Sequence, residues 1–162
     1  MSVIVWDGET MVTDRGAWRD GTVYSMTKLL ANKERTRIVG FAGRTDLAQH
    51  AAQMWLDRGE LDLLDGEDRK GDFVLMCYDR GQDCLELYDS SVIPAQLDAS
   101  NIVVAGHQFA AGAVRALIDR RGDAIQAVRH LSEAQWCDVV AFGHDFVRTT
   151  RRGNPVASSL PD

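Results

Sequence analysis

Ser2-Val3-Ile4-Val5-Trp6 is a run of strand-forming residues that opens at the second position, and Asp7-Gly8 turns it back into Thr10-Met11-Val12-Thr13. An Asp-Gly pair between two such runs is a strong hairpin signal, because the tight turn needs residues that tolerate positive φ. The chain is therefore committed from its start to a sheet, with Asp14 closing the second strand. Later elements must pack on that hairpin or pair with its edges.

Strands continue to dominate the first quarter. Gly16 and Asp20-Gly21 punctuate a loop before Thr22-Val23-Tyr24-Ser25-Met26. Lys28-Leu29-Leu30 follows and, after Lys33-Glu34-Arg35, so does the run Thr36 to Ala42. From Thr45 the period changes. Leu47, Ala48, Ala51, Met54 and Trp55 recur at three- and four-residue spacing, which predicts an amphipathic helix over 45–58, ended by Gly59. A polar loop is expected over 65–71, then a hairpin from Phe73–Tyr78 and Cys84–Tyr88, then a buried strand over Ile102–Ala105. Two helices are expected over 107–133, the second capped by Asp123, and further strands over Trp136–Phe142 and Phe146–Arg148. Hairpin strands with helices grouped between them predict an α+β layered fold rather than a doubly wound parallel sheet. The expected organisation is one domain over residues 1–150 and a tail over 151–162, rich in Gly and Pro.

Composition removes several functional classes. With 18 Lys+Arg against 24 Asp+Glu the net charge is -6, which disfavours a nucleic-acid or anionic-membrane partner. The four histidines show no metal-ligand spacing and the three cysteines no disulfide framework, so neither a metal nor another cofactor is expected. Cys77 and Cys84 face one another if the hairpin turns at Arg80-Gly81, which leaves a single bridge conceivable. Three half-buried thiols in a reducing compartment is the reading preferred here. No apolar run reaches the length of a membrane span, and no basic, long apolar leader opens the chain, so a cytoplasmic protein is expected.

The chemistry gathers at the N-terminus. Removal of Met1 leaves Ser2 carrying both a hydroxyl and an α-amine, a compact nucleophile-base pair on one residue. An α-amine has a reference pKa of about 7.7–8.0, so a useful fraction is uncharged near neutrality. A lysine beside that amine, such as Lys28, would favour its neutral form by like-charge repulsion. Asp14 would hold the lysine in place. Gly43, where a strand runs into the helix at Thr45, can offer a bare N–H to a developing oxyanion. Singly these are a turn aspartate, a surface lysine and a backbone joint. Together they fill the roles that acyl transfer requires.

In order and spacing these segments resemble the proteasome β-subunit and HslV-type branch of the N-terminal-nucleophile hydrolases, especially the short proteasome-like proteins of bacteria and phages. Ser2-Val3-Ile4-Val5-Trp6 is similar to the family's first strand, with Ser2 where the nucleophilic threonine usually stands. Val12-Thr13-Asp14-Arg15 and Thr27-Lys28-Leu29 resemble the segments that carry its aspartate and lysine. The spacing from Lys28 to Gly40-Phe41-Ala42-Gly43 looks like that of HslV-type subunits, Val103-Val104-Ala105-Gly106 resembles a later strand end, and the resemblance spans about residues 2–148. It implies a four-layer αββα sandwich and catalytic roles for Ser2, Asp14, Lys28 and Gly43. It also implies a first specificity pocket lined by Ala17, Met26, Leu30, Phe41 and Thr45. It further implies a homo-oligomeric ring enclosing the active sites, peptide or unfolded-protein substrates, and often an ATP-driven unfoldase as partner.

Departures from the pattern point to alternatives. His107 stands where the family has a serine near the amine, Arg44 replaces a small residue beside the substrate path, and Asp138 lies near the place of a supporting carboxylate. The expected activity is peptide hydrolysis through Ser2. The alternatives are a catalytically silent ring protein and an amidohydrolase acting on a small amide with the same residues.

Overall fold

A computed structural model describes residues 2–61, 73–89, 93–121, 124–131, 137–142, 146–150 and 154–157. The strands of the first half are β1 (Val3–Trp6), β2 (Thr10–Asp14), β3 (Gly16–Arg19), β4 (Thr22–Ser25), β5 (Leu29–Ala31) and β6 (Arg37–Gly43), followed by α1 (Thr45–Arg58). Next come β7 (Phe73–Asp79), β8 (Cys84–Tyr88), β9 (Ala95–Leu97) and β10 (Val103–Gly106). Helices α2 (Gln108–Arg121) and α3 (Ala124–Leu131) precede β11 (Cys137–Phe142), β12 (Phe146–Thr150) and β13 (Asn154–Ala157). One sheet has the order β10-β1-β2-β11-β12-β13, a second the order β5-β6-β7-β8-β9, and β3-β4 stand as a separate ribbon. Among the described residues all strand pairs are antiparallel, and the fold is α+β. The loop expected over 65–71 and the cap at Asp123 lie outside the described residues.

Period-2 alternation explains how the elements stack. Val3 and Val5 of β1 pack with Val12 against Val114 and Ile118 of α2 and Ala127 and Val128 of α3. Their neighbours Ile4 and Trp6 turn the other way, into a cluster with Met11, Ile38, Met76, Tyr78 and Leu85 between the two large sheets. Val39, Phe41, Leu75 and Cys77 leave the far face of the second sheet to meet Ala48, Ala51, Ala52, Trp55 and Leu56 of α1. Central strands are thus apolar on both faces, each large side chain contributing about 1.5–3 kcal/mol by burial. Where the sheets approach most closely only glycine fits. A Cβ at Gly40 would lie 2.7 Å from Ile4 Cγ2 and 3.0 Å from Thr13 Cγ2. The Trp6 and Tyr78 rings meet at a centroid distance of 4.4 Å across this interface.

Three sequence expectations change, and one left open is decided. Residues 16–21, expected as a loop before Thr22, form the first arm and the turn of a hairpin, turning at Asp20 (φ 50°) and Gly21 (φ 80°) between the paired Arg19 and Thr22. The β8–β9 pairing was not foreseen. Residues 154–157, expected within a tail, pair as β13 on the edge of the first sheet. Cys77 lies opposite Glu86, and Cys84 opposite Asp79, so the hairpin register separates the two cysteines and both are free thiols. Among the described residues no helix is long and apolar enough to cross a membrane.

Candidate active site

The hairpin β1–β2 places Ser2 and Asp14 at the same end of the first sheet, with Ile4 opposite Thr13. Asp14 Oδ1 accepts the main-chain N–H of Val3 at 2.9 Å, which ties the carboxylate to the residue following the hydroxyl. Lys28 comes from the second sheet. It precedes β5 by one residue rather than lying within it, and its carbonyl accepts the Phe41 N–H at 2.9 Å. The Lys28 main chain is thereby fixed against β6.

The side chains converge. Lys28 Nζ donates to Asp14 Oδ2 at 2.8 Å and to Ser2 Oγ at 2.7 Å, and it also donates to the carbonyl of Gly16. Lys28 is 4% exposed and Asp14 1% exposed, so this ion pair is withdrawn from solvent. An ammonium has three hydrogens, and all three are committed. Ser2 Oγ therefore receives a proton donor from Lys28, and its own O–H is left to bond elsewhere. A base for that proton must be another group.

Ser2 is held equally firmly through its main chain. Its carbonyl accepts the His107 N–H at 2.9 Å, and Val3 pairs with Gly106. Gly106 has φ +115°, and a Cβ there would stand 2.3 Å from the Ser2 carbonyl oxygen. Only glycine permits this approach.

Two cavities meet at Ser2. The first, about 200 Å³, is lined by Ser2, Asp14 and Lys28 and by Ala17, Met26, Phe41, Gly43 and Thr45. Leu30, expected with them, instead packs half-buried against the α1 core cluster. The second, about 380 Å³, shares Ser2, Ala42 and Gly43 with the first and extends over Phe73, Asp89 and His107. Gly43 (φ +99°) stands between them at the junction of β6 and α1. Arg44, expected to narrow the substrate path, lines neither cavity. Its guanidinium bonds the Asp46 carboxylate at 3.0 and 3.1 Å, holding that exposed carboxyl below the usual carboxylate range. The Asp138 backbone lies opposite Thr13 in β11, and its side chain is outside the described part of the structure.

Sequence reasoning missed Gly16, whose carbonyl completes the lysine's coordination, and the second cavity with Phe73 and Asp89. Gly16 was visible only as punctuation. Nothing local marks Asp89. Among the described residues no group of three or more His, Cys, Asp or Glu could hold a metal ion.

No family model matches the chain. No curated protein matches it either. Among solved structures, it is similar to the crystal structure of eukaryotic HslV from Trypanosoma brucei. The TM-score is 0.60 at 24% identity, covering 89% of this chain and 100% of that one. At this identity the likeness is one of fold: the chain has an HslV-like α+β architecture.

Proposed function

We propose that this chain is a proteasome-like N-terminal-nucleophile hydrolase that cleaves peptide bonds with Ser2 after removal of Met1. The observation that carries the reading is the buried Lys28, paired with Asp14, donating to Ser2 Oγ on the lining of a cavity. With the lysine's three hydrogens committed, the base is the α-amine of Ser2 itself, which the Lys28 charge favours in its neutral form. Ser2 Oγ attacks the amide carbon and its proton passes to the amine. The N–H of Gly43 stabilises the oxyanion. As the tetrahedral adduct collapses, the C–N bond breaks, and the amine delivers its proton to the departing nitrogen. Water, deprotonated by the same amine, then hydrolyses the ester and restores Ser2.

The first cavity receives the acyl-side residue, and its Ala17, Met26 and Phe41 lining suits an apolar side chain. On this reading the layers are those of a four-layer αββα sandwich in one domain, to which the edge strand β13 also belongs. The protein works in the cytoplasm as a homo-oligomeric ring, on peptides or unfolded chains, with an ATP-driven unfoldase as the partner that delivers folded substrates. Hydrolysis of fluorogenic peptides with an apolar acyl-side residue tests the reading. It predicts turnover by the processed protein, none by Ser2→Ala, and a ring-sized mass for both by light scattering. Turnover that survives Ser2→Ala would place the chemistry elsewhere, with His107 the next residue to replace.

A further inference from the structure

We propose that the second cavity receives the residue on the leaving-group side of the cleaved bond, and that Asp89 selects a lysine or arginine there. This deepens the peptidase reading above and rests on it.

The side is fixed by where the cavities touch Ser2. The first meets the ammonium side, through Asp14, Gly16 and Lys28. The second meets the main-chain side, through Gly106 and His107, whose N–H bonds the Ser2 carbonyl. A departing nitrogen must come within a hydrogen bond, about 2.6–3.2 Å, of the group that protonates it. On the reading above that group is the Ser2 α-amine, a main-chain atom of the residue whose carbonyl the His107 N–H holds. A substrate whose acyl-side residue fills the first cavity therefore sends its amine half toward the second.

The lining supplies the chemistry. Phe73 is 4% exposed and with Val74 and Ala42 gives an apolar wall. Asp89 is exposed at the same cavity, and no lysine or arginine lines it among the described residues. An apolar wall beside a carboxylate suits a long aliphatic stem with a cation at its end. Asp89 already interacts with neighbouring groups. A carboxylate has about four acceptor sites, so it can serve them and a substrate cation together.

The test uses three peptides identical on the acyl side and carrying Lys, Gln or Glu immediately after the cleaved bond. Products are sequenced by mass spectrometry and kcat/KM is measured for the wild type, Asp89→Asn and Asp89→Lys. The wild type should prefer Lys over Glu by about fivefold, the upper end for an exposed ion pair. Asp89→Asn should level the series and Asp89→Lys should invert it. For a further pair of peptides that differ only in an apolar or a charged acyl-side residue, the kcat/KM ratio should stay the same in all three proteins, which a general distortion of the site would not allow. Equal cleavage of the Lys and Glu peptides by the wild type overturns the proposal, as does a preference that survives Asp89→Asn. A wild type that cleaves none of the peptides and takes up no electrophilic probe at Ser2 overturns the peptidase reading itself, and the proposal with it.

Discussion

Lys28→Met keeps an unbranched stem of similar length and deletes the ammonium, so it isolates the charge that joins Ser2 to Asp14. In the wild type Asp14 is 1% exposed, with Oδ1 bonded to the Val3 N–H and Oδ2 bonded to Lys28 Nζ at 2.8 Å. The substitution leaves Oδ2 facing a methyl group where almost no solvent reaches the carboxylate. Breaking a buried pair by removing one partner costs about 3–5 kcal/mol, because the remaining charge is uncompensated. For a chain of this length 1 kcal/mol shifts Tm by about 2–4 °C, so a fall of roughly 6–20 °C is expected. Lys28→Met combined with Asp14→Asn removes both charges while the amide oxygen can still accept the Val3 N–H. The double variant should therefore be more stable than the two single losses sum to, by about 2–3 kcal/mol. All three variants should lose peptide hydrolysis. Melts belong at fixed protein concentration, since assembly makes Tm depend on it. A Lys28→Met loss of less than about 1 kcal/mol would mean that the pair is solvated, and would refute the closed arrangement around Ser2.

Three further outcomes follow from the geometry. Gly106→Ala should cost at least about 2 kcal/mol and abolish hydrolysis, because the new Cβ collides with the Ser2 carbonyl at a φ of +115°. Wild-type turnover in that variant would show that Ser2 is not held where the structure has it. Thr13 Oγ1 is buried with no hydrogen-bond partner among the described residues, so the near-isosteric Thr13→Val should raise stability by about 1 kcal/mol in urea titration. A loss there would reveal a partner for the hydroxyl. Burial pushes the Cys77 thiol well above its ordinary range and raises Cys84 less, with Glu86 adding to both. At pH 8, below both, thiolate is scarcest at Cys77, so peptide mapping after iodoacetamide should find it modified only in denatured protein. Modification of native Cys77 at the rate of Cys84 would contradict this.

The parts of the fold legible in the sequence were those with a local cause. The Asp7-Gly8 turn, the helical period from Leu47 to Trp55 and the Gly59 stop each act within a few residues. The hairpin at Asp20-Gly21 carried the same turn signal as Asp7-Gly8. With Gly16 four residues earlier, the segment reads as a loop before Thr22, and only the pairing of Gly16–Arg19 with Thr22–Ser25 makes it a hairpin. Strands β9 and β13 are three and four residues long and sit at sheet edges. They are strands because of the neighbour they pair with, not because of their own pattern. Register excludes the conceivable Cys77–Cys84 bridge, since a four-residue turn sets Cys84 opposite Asp79, and both thiols are free as the preferred reading has it. At the site, Ser2, Asp14 and Lys28 could be picked out as residue types suited to one reaction, and the structure brings them within hydrogen-bond reach. Leu30 was assigned to the pocket by resemblance, whereas its side chain packs toward α1. Asp89 and Phe73 reach the second cavity only through the tertiary arrangement of β7, β10 and the segment after β8.

The central claim is that Ser2 is the nucleophile and its own amine the base. An intact mass of the purified protein, before and after exposure to an electrophilic peptide probe, addresses both halves at once. The account predicts a chain that begins at Ser2, one probe adduct per chain, peptide mapping of that adduct to Ser2, and no adduct in a correctly processed Ser2→Ala variant. A chain that begins at Ser2 yet takes up no probe would contradict it, and so would labelling that persists in Ser2→Ala.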